Sequence, residues 1–349
     1  MKRLVPTRRR LLGALLLSPF GGLLASPGGP MRRERRALFG SWAEVLVAAP
    51  DERAAPALSA AWDRLARMNR DWNAWKPGAL QRINAAIRAG RRVVVDDELA
   101  ALLVQARELE LASNGACNIA LGAAVAAWGF HADRLRDGAP PASPDLIDSL
   151  RDRVPSLASL QIRGGQLASG DRRIQLDLGA IGKGHAADRA LDSLRAAGIG
   201  AALVNLGGNL AAMGAPGGRP WRIGIRHPDP DGGLVATLDL ATDAGDGAGR
   251  EAVITSAQSE RRRRLPDGRE IGHVLDARTL QPVDSAVGVT VIDPDATRAD
   301  ALATALLSAD PAEPWLAVTA RLGVNQALRV HPDGRLEATP ALAGRLRAV

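Results

Sequence analysis

Apolar and polar positions along the chain predict strands and helices in a mixed order. Ser41 to Ala49 is apolar and β-branched enough to read as a strand. From Ala57 to Arg88 apolar residues recur at helical spacing, broken around Lys76-Pro77-Gly78. Asp96-Asp97 can cap a second helix, Glu98 to Ser113, which Asn114-Gly115 stops. Asp137 to Ser156, rich in Pro, Asp and Ser, reads as a surface connection between lobes near 137–156. Further on, Ile174 to Leu178, Ala201 to Leu206, Trp221 to Arg226, Leu234 to Leu240 and Val287 to Ile292 predict strands. Lys183 to Ala197 predicts a helix closed by Gly198, and Arg298 to Leu307 a helix started at Thr297. Strands come in runs with helices between them, so the expected class is α+β rather than a doubly wound sheet.

Composition narrows the function classes. The 349 residues, 46% hydrophobic and 24% charged, can build one large domain or two lobes around a real core. A net charge of +7 could serve nucleic acid, but much of the excess sits near the start, at Arg8, Arg9, Arg10, Arg32, Arg33, Arg35 and Arg36. No basic stripe is interleaved with aromatic residues, so no nucleic-acid partner is expected. Cys117 is the sole cysteine, which rules out an intrachain disulfide and a cysteine metal cluster. The basic start Thr7 to Arg10, the apolar run Leu11 to Ala25 and the small-residue exit Ser26 to Pro30 describe an export signal over 1–30. Its arginine pair is twin-arginine-like, and a Sec signal or an uncleaved anchor is the alternative. The remaining 31–349 would be the folded domain, periplasmic or otherwise exported.

Three clusters carry candidate chemistry. Asp177 to His185 (DLGAIGKGH) is a Gly-rich turn between a predicted strand and helix, where unpaired N–H groups favour phosphate. It is not a Walker A loop, because Gly184 stands where Ser or Thr is needed. Asp300 and Thr304 lie four apart on a predicted helix and share a face, offering two hard oxygens suited to Mg²⁺. Gly272 to Thr279 (GHVLDART) gathers His273, Asp276, Arg278 and Thr279. There His273 could act as a base and Asp276 could orient it or meet a metal. Each cluster alone is also compatible with a structural turn or helix cap.

Taken in order, these pieces resemble the ApbE family of FAD:protein FMN transferases. The resemblance runs through Gly115 to Ala120, Trp128-Gly129-Phe130, Asp177 to Ala186, Val204 to Gly208, Thr255-Ser256-Ala257, Gly272 to Leu280 and Ala299 to Thr304. It implies a two-lobed mixed α/β architecture with the site between lobes, and Mg²⁺-dependent transfer of FMN from FAD to a Thr or Ser hydroxyl, with AMP released. It implies a metal held by Gly182, Asp300 and Thr304, with the Ala303 carbonyl close by. FAD would lie along Phe39, Trp75, Ala116, Cys117, Asn118, Gly179, His185 and His273, with His273 or Asp276 assisting proton removal. The implied partner is an acceptor flavoprotein with a Thr/Ser flavinylation motif, and membrane association would come through that acceptor or an uncleaved leader. Departures from the pattern are Cys117, Asn118 and Ile119 for Phe, Asp and Pro, and Ala257-Gln258-Ser259 for Gly-Asp-Tyr. Further departures are His185 for Tyr, Ala277 for Pro and Leu280 for Gly. They leave an exported FAD-binding protein without transfer, or a FAD pyrophosphatase, as alternatives.

Overall fold

Strand alternation is satisfied by one large antiparallel sheet with both faces covered. The computed structural model describes residues 30–140, 143–229, 232–242 and 249–348; the expected leader lies outside them. The chain begins β1 (Met31–Leu38), β2 (Ser41–Ala48), α1 (Asp51–Asp71), α2 (Ala79–Arg88), β3 (Val93–Val94) and α3 (Asp97–Ala112). It continues α4 (Gly122–Ala127), α5 (Pro144–Arg151), β4 (Leu160–Arg163), β5 (Gln166–Ser169), α6 (Gly182–Ala196), β6 (Ala202–Leu206), β7 (Asn209–Met213), β8 (Arg222–Arg226) and β9 (Leu234–Asp239). It ends β10 (Arg250–Ala257), β11 (Arg262–Arg264), β12 (Glu270–Gly272), β13 (Gly288–Asp293), α7 (Ala296–Leu307), α8 (Trp315–Arg321), β14 (Ala327–Val330), β15 (Leu336–Ala338) and α9 (Pro340–Ala343). Among the described residues no helix is long and apolar enough to cross a membrane.

The main sheet has the order β1-β2-β6-β7-β10-β13-β14-β15, and every neighbouring pair is antiparallel. Successive side chains point to opposite faces, so each central strand feeds two cores. Val45 and Val47, Ala202 and Val204, Ala252 and Ile254, Val289 and Val291 join the core that also holds residues of α1, α6 and α7. Their neighbours Leu46, Leu203, Val253 and Ile292 join a second core with Trp221, Ile223 and Leu238 of the β8–β9 hairpin region. A third cluster gathers Trp128, Phe130, Ile147, Leu150, Leu275 and Leu280 beside the sheet. The mixed α+β class expected from the pattern is what the chain builds.

Two local expectations change. The stretch 137–156 is not simply an exposed connection. It contains α5, whose Ile147 and Leu150 are buried in the third cluster. The guanidinium of Arg263, itself buried, donates to the carbonyls of Arg136, Ala139 and Pro140 and ties the preceding loop down. Ile174 to Leu178 is not a strand. The buried side-chain amide of Asn84 donates to the Leu176 carbonyl at 2.9 Å and accepts from its N–H at 2.8 Å. One side chain thus satisfies the backbone groups a neighbouring strand would have met.

Helices α6 and α7 cross in closest contact at Gly184. The Gly184 N–H donates to Asp300 Oδ2 at 2.8 Å, while the Asp188 carboxylate accepts from the N–H groups of Ala296 and Thr297 and from the Thr297 hydroxyl. Residue 184 must be glycine for that approach, because a Cβ there would fall on the Ala296 carbonyl and 2.8 Å from Asp300 Cβ. Gly184→Ala should therefore lower stability by about 1–3 kcal/mol, the usual range for forced overpacking. Denaturant midpoints of the two proteins check this; equal midpoints would mean the helices can separate without cost.

Candidate functional site

The ends of several elements converge on a cavity of about 1400 Å³. One wall is the β1–β2 turn, Phe39-Gly40, where both residues have positive φ (54° and 71°) as a two-residue hairpin turn requires. A non-glycine residue at φ 54° is unusual, and the Phe39 N–H is held by Asn69 Oδ1 at 2.7 Å. The second wall is the loop after α1, with Trp72 and Trp75. Asn73 Oδ1 accepts from the N–H groups of Trp75 and Lys76 and so shapes that loop, while the Trp75 ring lies 5.6 Å from His131. The Gly-rich turn forms the floor with Gly179, Gly182 and Lys183, and Ala116, Asn118 and Phe130 close it from the third cluster's side. Of the anticipated residues, Phe39, Trp75, Ala116, Asn118, Gly179, Gly182, His273, Asp300 and Thr304 all line this one space.

The oxygen-rich end is built around Asp300. It is 2% exposed, and its oxygens accept from the Gly184 N–H and from Asn209 Nδ2 at 3.2 Å. One turn later the Thr304 hydroxyl meets Ser256 Oγ at 3.1 Å. Burial raises the Asp300 carboxyl to about 6, against the pull of Lys183 and the Gly184 N–H. Asn209 Oδ1 is buried beside it with no partner. An unpartnered carbonyl oxygen and a carboxylate burdened by burial are groups that a hard cation would satisfy. Among the described residues no group of three or more His, Cys, Asp or Glu is placed to hold a metal. A cation here would therefore depend on one carboxylate, the Thr304 hydroxyl, backbone carbonyls and oxygens of a ligand. That donor set suits Mg²⁺.

His273 faces the same cavity from the far side. Its ring packs edge-on against Phe130 at 6.3 Å, and Nδ1 is buried with no partner. Burial first, then Lys183 and Arg261, depress the imidazole to about 3, so it is neutral near neutral pH. Lys183 links the two ends. Burial alone would lower its ammonium, but Glu260, 3.1 Å away, and Asp300 outweigh that and raise it.

Four anticipated residues lie outside the cavity lining. The Asp276 carboxylate grips the Arg278 guanidinium and its own turn's N–H, so it is a turn brace rather than an orienter of His273. Cys117 is buried with its thiol pushed up to about 12, first by burial and then by Asp300 and Glu110, which leaves it inert. His185 packs under Trp72 at 5.3 Å, with Nδ1 3.3 Å from the Thr297 hydroxyl, and burial and Arg189 lower it to about 4. It supports the wall instead of touching the space. Ala303 is fully buried within α7. In turn, Asn209, Ser256, Lys183 and Glu260 line the cavity without having been singled out. Lys183 and Ser256 stood inside quoted motifs, whereas nothing in the local pattern marks Asn209 or Glu260.

The model of the ApbE family matches residues 39–328. The chain belongs to the ApbE family. It is 37% identical over 343 residues to a FAD:protein FMN transferase of Rhodobacter capsulatus, covering 97% of this chain and 62% of that relative's length. A FAD:protein FMN transferase of Treponema pallidum is 34% identical, with 78% of this chain and 75% of the relative covered. Among solved structures, the apo form of Pseudomonas stutzeri flavinyl transferase ApbE superposes with a TM-score of 0.76 at 28% identity, over 92% of this chain and 98% of that one. The ApbE protein of Thermotoga maritima gives a TM-score of 0.80 at 24% identity, over 91% of this chain and all of that one, a likeness of fold.

One departure from the ApbE pattern has a clear backbone account. Leu280 stands at the motif's final glycine, and its φ is 55°. The left-handed conformation survives because the side chain is fully buried in the third cluster and the Leu280 carbonyl accepts from Trp128 Nε1 at 2.8 Å. Strain there costs about 1–3 kcal/mol, while truncating a buried leucine costs about 2–5 kcal/mol. Burial is the larger effect. Leu280→Gly should thus destabilise the fold by roughly 1–3 kcal/mol net; a stabilised variant in denaturant titration would reverse that ordering.

A second expectation concerns acid. The folded-state value of His273 lies below its ordinary 6.5. Its contribution is therefore intact above about 6.5 and lost as pH falls from there toward about 3. His273→Gln should flatten the loss of stability across that window. Parallel unfolding curves from pH 7 to pH 4 measure it, and identical slopes would contradict the burial of the imidazole.

Proposed function

We propose that this chain transfers FMN from FAD to a Ser or Thr hydroxyl of an exported acceptor protein, releasing AMP, with Mg²⁺ bound at Asp300 and Thr304. The observation that carries it is the meeting of three things in one cavity: the Gly-rich turn, the buried oxygens of Asp300 and Thr304, and the neutral imidazole of His273. The relatives' names supply the reaction class.

The residues divide the work. Phe39 and Trp75 offer apolar surface to a flavin or adenine ring. Gly179, Gly182 and Lys183 offer small-residue backbone and a cation to a diphosphate. Asp300, Thr304 and the Gly182 carbonyl would hold Mg²⁺, which when bound screens the diphosphate's charge. The acceptor oxygen forms a bond to the FMN-side phosphorus, the bridging P–O bond breaks, and that oxygen leaves with AMP. His273 takes the hydroxyl proton. Burial first, then Lys183 and Arg261, keep its basicity low. An anionic diphosphate would offset the two cations and raise the imidazole by their share, the larger effect of burial remaining. Export fits the leader-like start, and the acceptor would then be met outside the cytoplasm.

The purified chain, FAD, Mg²⁺ and an acceptor carrying a Thr/Ser flavinylation motif should give covalent flavin on the acceptor and stoichiometric AMP. Asp300→Asn, which keeps the shape and removes the charge, should lower the rate at least about a hundredfold and abolish the Mg²⁺ response. AMP without acceptor labelling would instead support FAD hydrolysis, and saturable FAD binding without AMP would support a binding protein. Either result rejects transfer.

A further inference from the structure

The geometry points to Gln258 as the positioning residue for His273, an inference that rests on the transferase reading. Gln258 directly follows β10, whose Ser256 meets the Thr304 hydroxyl. Its side chain is buried, yet every hydrogen bond it makes goes to backbone on either side of the site's histidine loop. Nε2 donates to the carbonyls of Val274 at 3.0 Å and Val283 at 2.7 Å, and Oε1 accepts from the Val274 N–H at 3.1 Å. Both backbone groups of the residue after His273 are thus fixed by one amide.

The residue before His273 is shaped to the same side chain. A Cβ on Gly272 would lie 2.6 Å from both Cβ and Cδ of Gln258. The loop needs such a brace. Residues 273–283 form no strand of the sheets, and their backbone pairing is limited to a bridge between Leu275 and Pro282, the Val283 N–H to Val274 carbonyl bond and a turn at Asp276 to Gln281. Gln258 thereby ties the histidine loop to the oxygen end of the site, because it stands two residues after Ser256. The family pattern has an aspartate here. An ionised aspartate has no donor for the Val274 and Val283 carbonyls, so this clamp belongs to the present chain.

A residue that only stabilises the turn would, when removed, lower the melting temperature and leave turnover per folded molecule unchanged. A positioning residue lowers kcat and leaves FAD affinity alone, because Phe39, Trp75 and the Gly-rich turn do not hang on Gln258. Gln258→Met keeps the length and removes all three bonds. It should lower kcat for acceptor labelling by about a hundredfold, the scale of a misplaced reacting group, with KM for FAD changed less than about threefold. In the same full-length samples, the ¹⁵N-labelled ring of His273, assigned by its absence from His273→Gln, should move toward free-imidazole shifts or broaden. Gly272→Ala displaces the clamp from the opposite side without altering Gln258 and should shift kcat and the ring signal in the same direction. It carries the test if Gln258→Met does not fold. A ring resonance unmoved in both variants, or unchanged kcat, overturns the inference. If the wild-type chain labels no acceptor, the transferase reading fails. The ring resonance then decides whether Gln258 holds His273.

Discussion

The site depends on the contact between the first turn of α6 and the first two turns of α7. Two helices seldom approach closely enough for a backbone N–H of one to donate to a side chain near the axis of the other. Here Gly184 permits it, and the N–H meets Asp300. The same crossing seats Asp188 under the N-terminus of α7, where its carboxylate caps Ala296 and Thr297. That cap, raised to about 6 chiefly by burial, is tolerated because the hydrogen bonds from Thr297 and the helix dipole favour its ionised form. From this single crossing follow the position of the Gly-rich turn beside Asp300 and the turn-by-turn placement of Thr304.

The histidine side of the site is organised differently. The oxygen end sits on helices and the main sheet, whereas His273 sits on a loop packed against the third cluster. Two supports keep that loop from drifting: the Gln258 amide and the burial of Leu280 in a strained conformation. On the transferase reading, the helix-and-sheet side would take the diphosphate and cation and the braced loop side the proton. Such a division suits a reaction in which charge must be screened at one place while a proton moves at another.

The large features were legible because they are periodic or punctuated. Strands β2, β6, β8, β9 and β13 and helices α3, α6 and α7 announce themselves by alternation, capping carboxylates and terminal glycines, and Asp96 does cap α3. Ile174 to Leu178 misled because apolar content says nothing about partner: one edge meets only a short bridge at Leu121 and the other the side chain of Asn84, 92 residues from Leu176. Strand β1 was missed because an arginine-rich edge strand lacks the apolar signature of a central one. For the site, Phe39 and Trp75 reached the cavity from outside the ordered motifs, whereas Cys117, His185, Asp276 and Ala303, inside them, did not. Asp276 and His185 failed by direction rather than by distance along the chain. Asp276 turns to Arg278 and His185 turns inward beneath Trp72. Side-chain direction in a loop or on the inner face of a helix is set by tertiary packing, which no local pattern encodes.

Lys183 explains why the two ends behave as one electrostatic unit. It lowers His273, opposes the rise of Asp300 and is itself raised by Glu260 and Asp300. Any anion entering between them changes all these balances together. On the transferase reading, a diphosphate beside Lys183 offsets that lysine's pull on His273, while the larger effect of burial stays. Lys183 thus couples the carboxylate end to the imidazole end, which is why its placement in the Gly-rich turn matters as much as the turn's backbone.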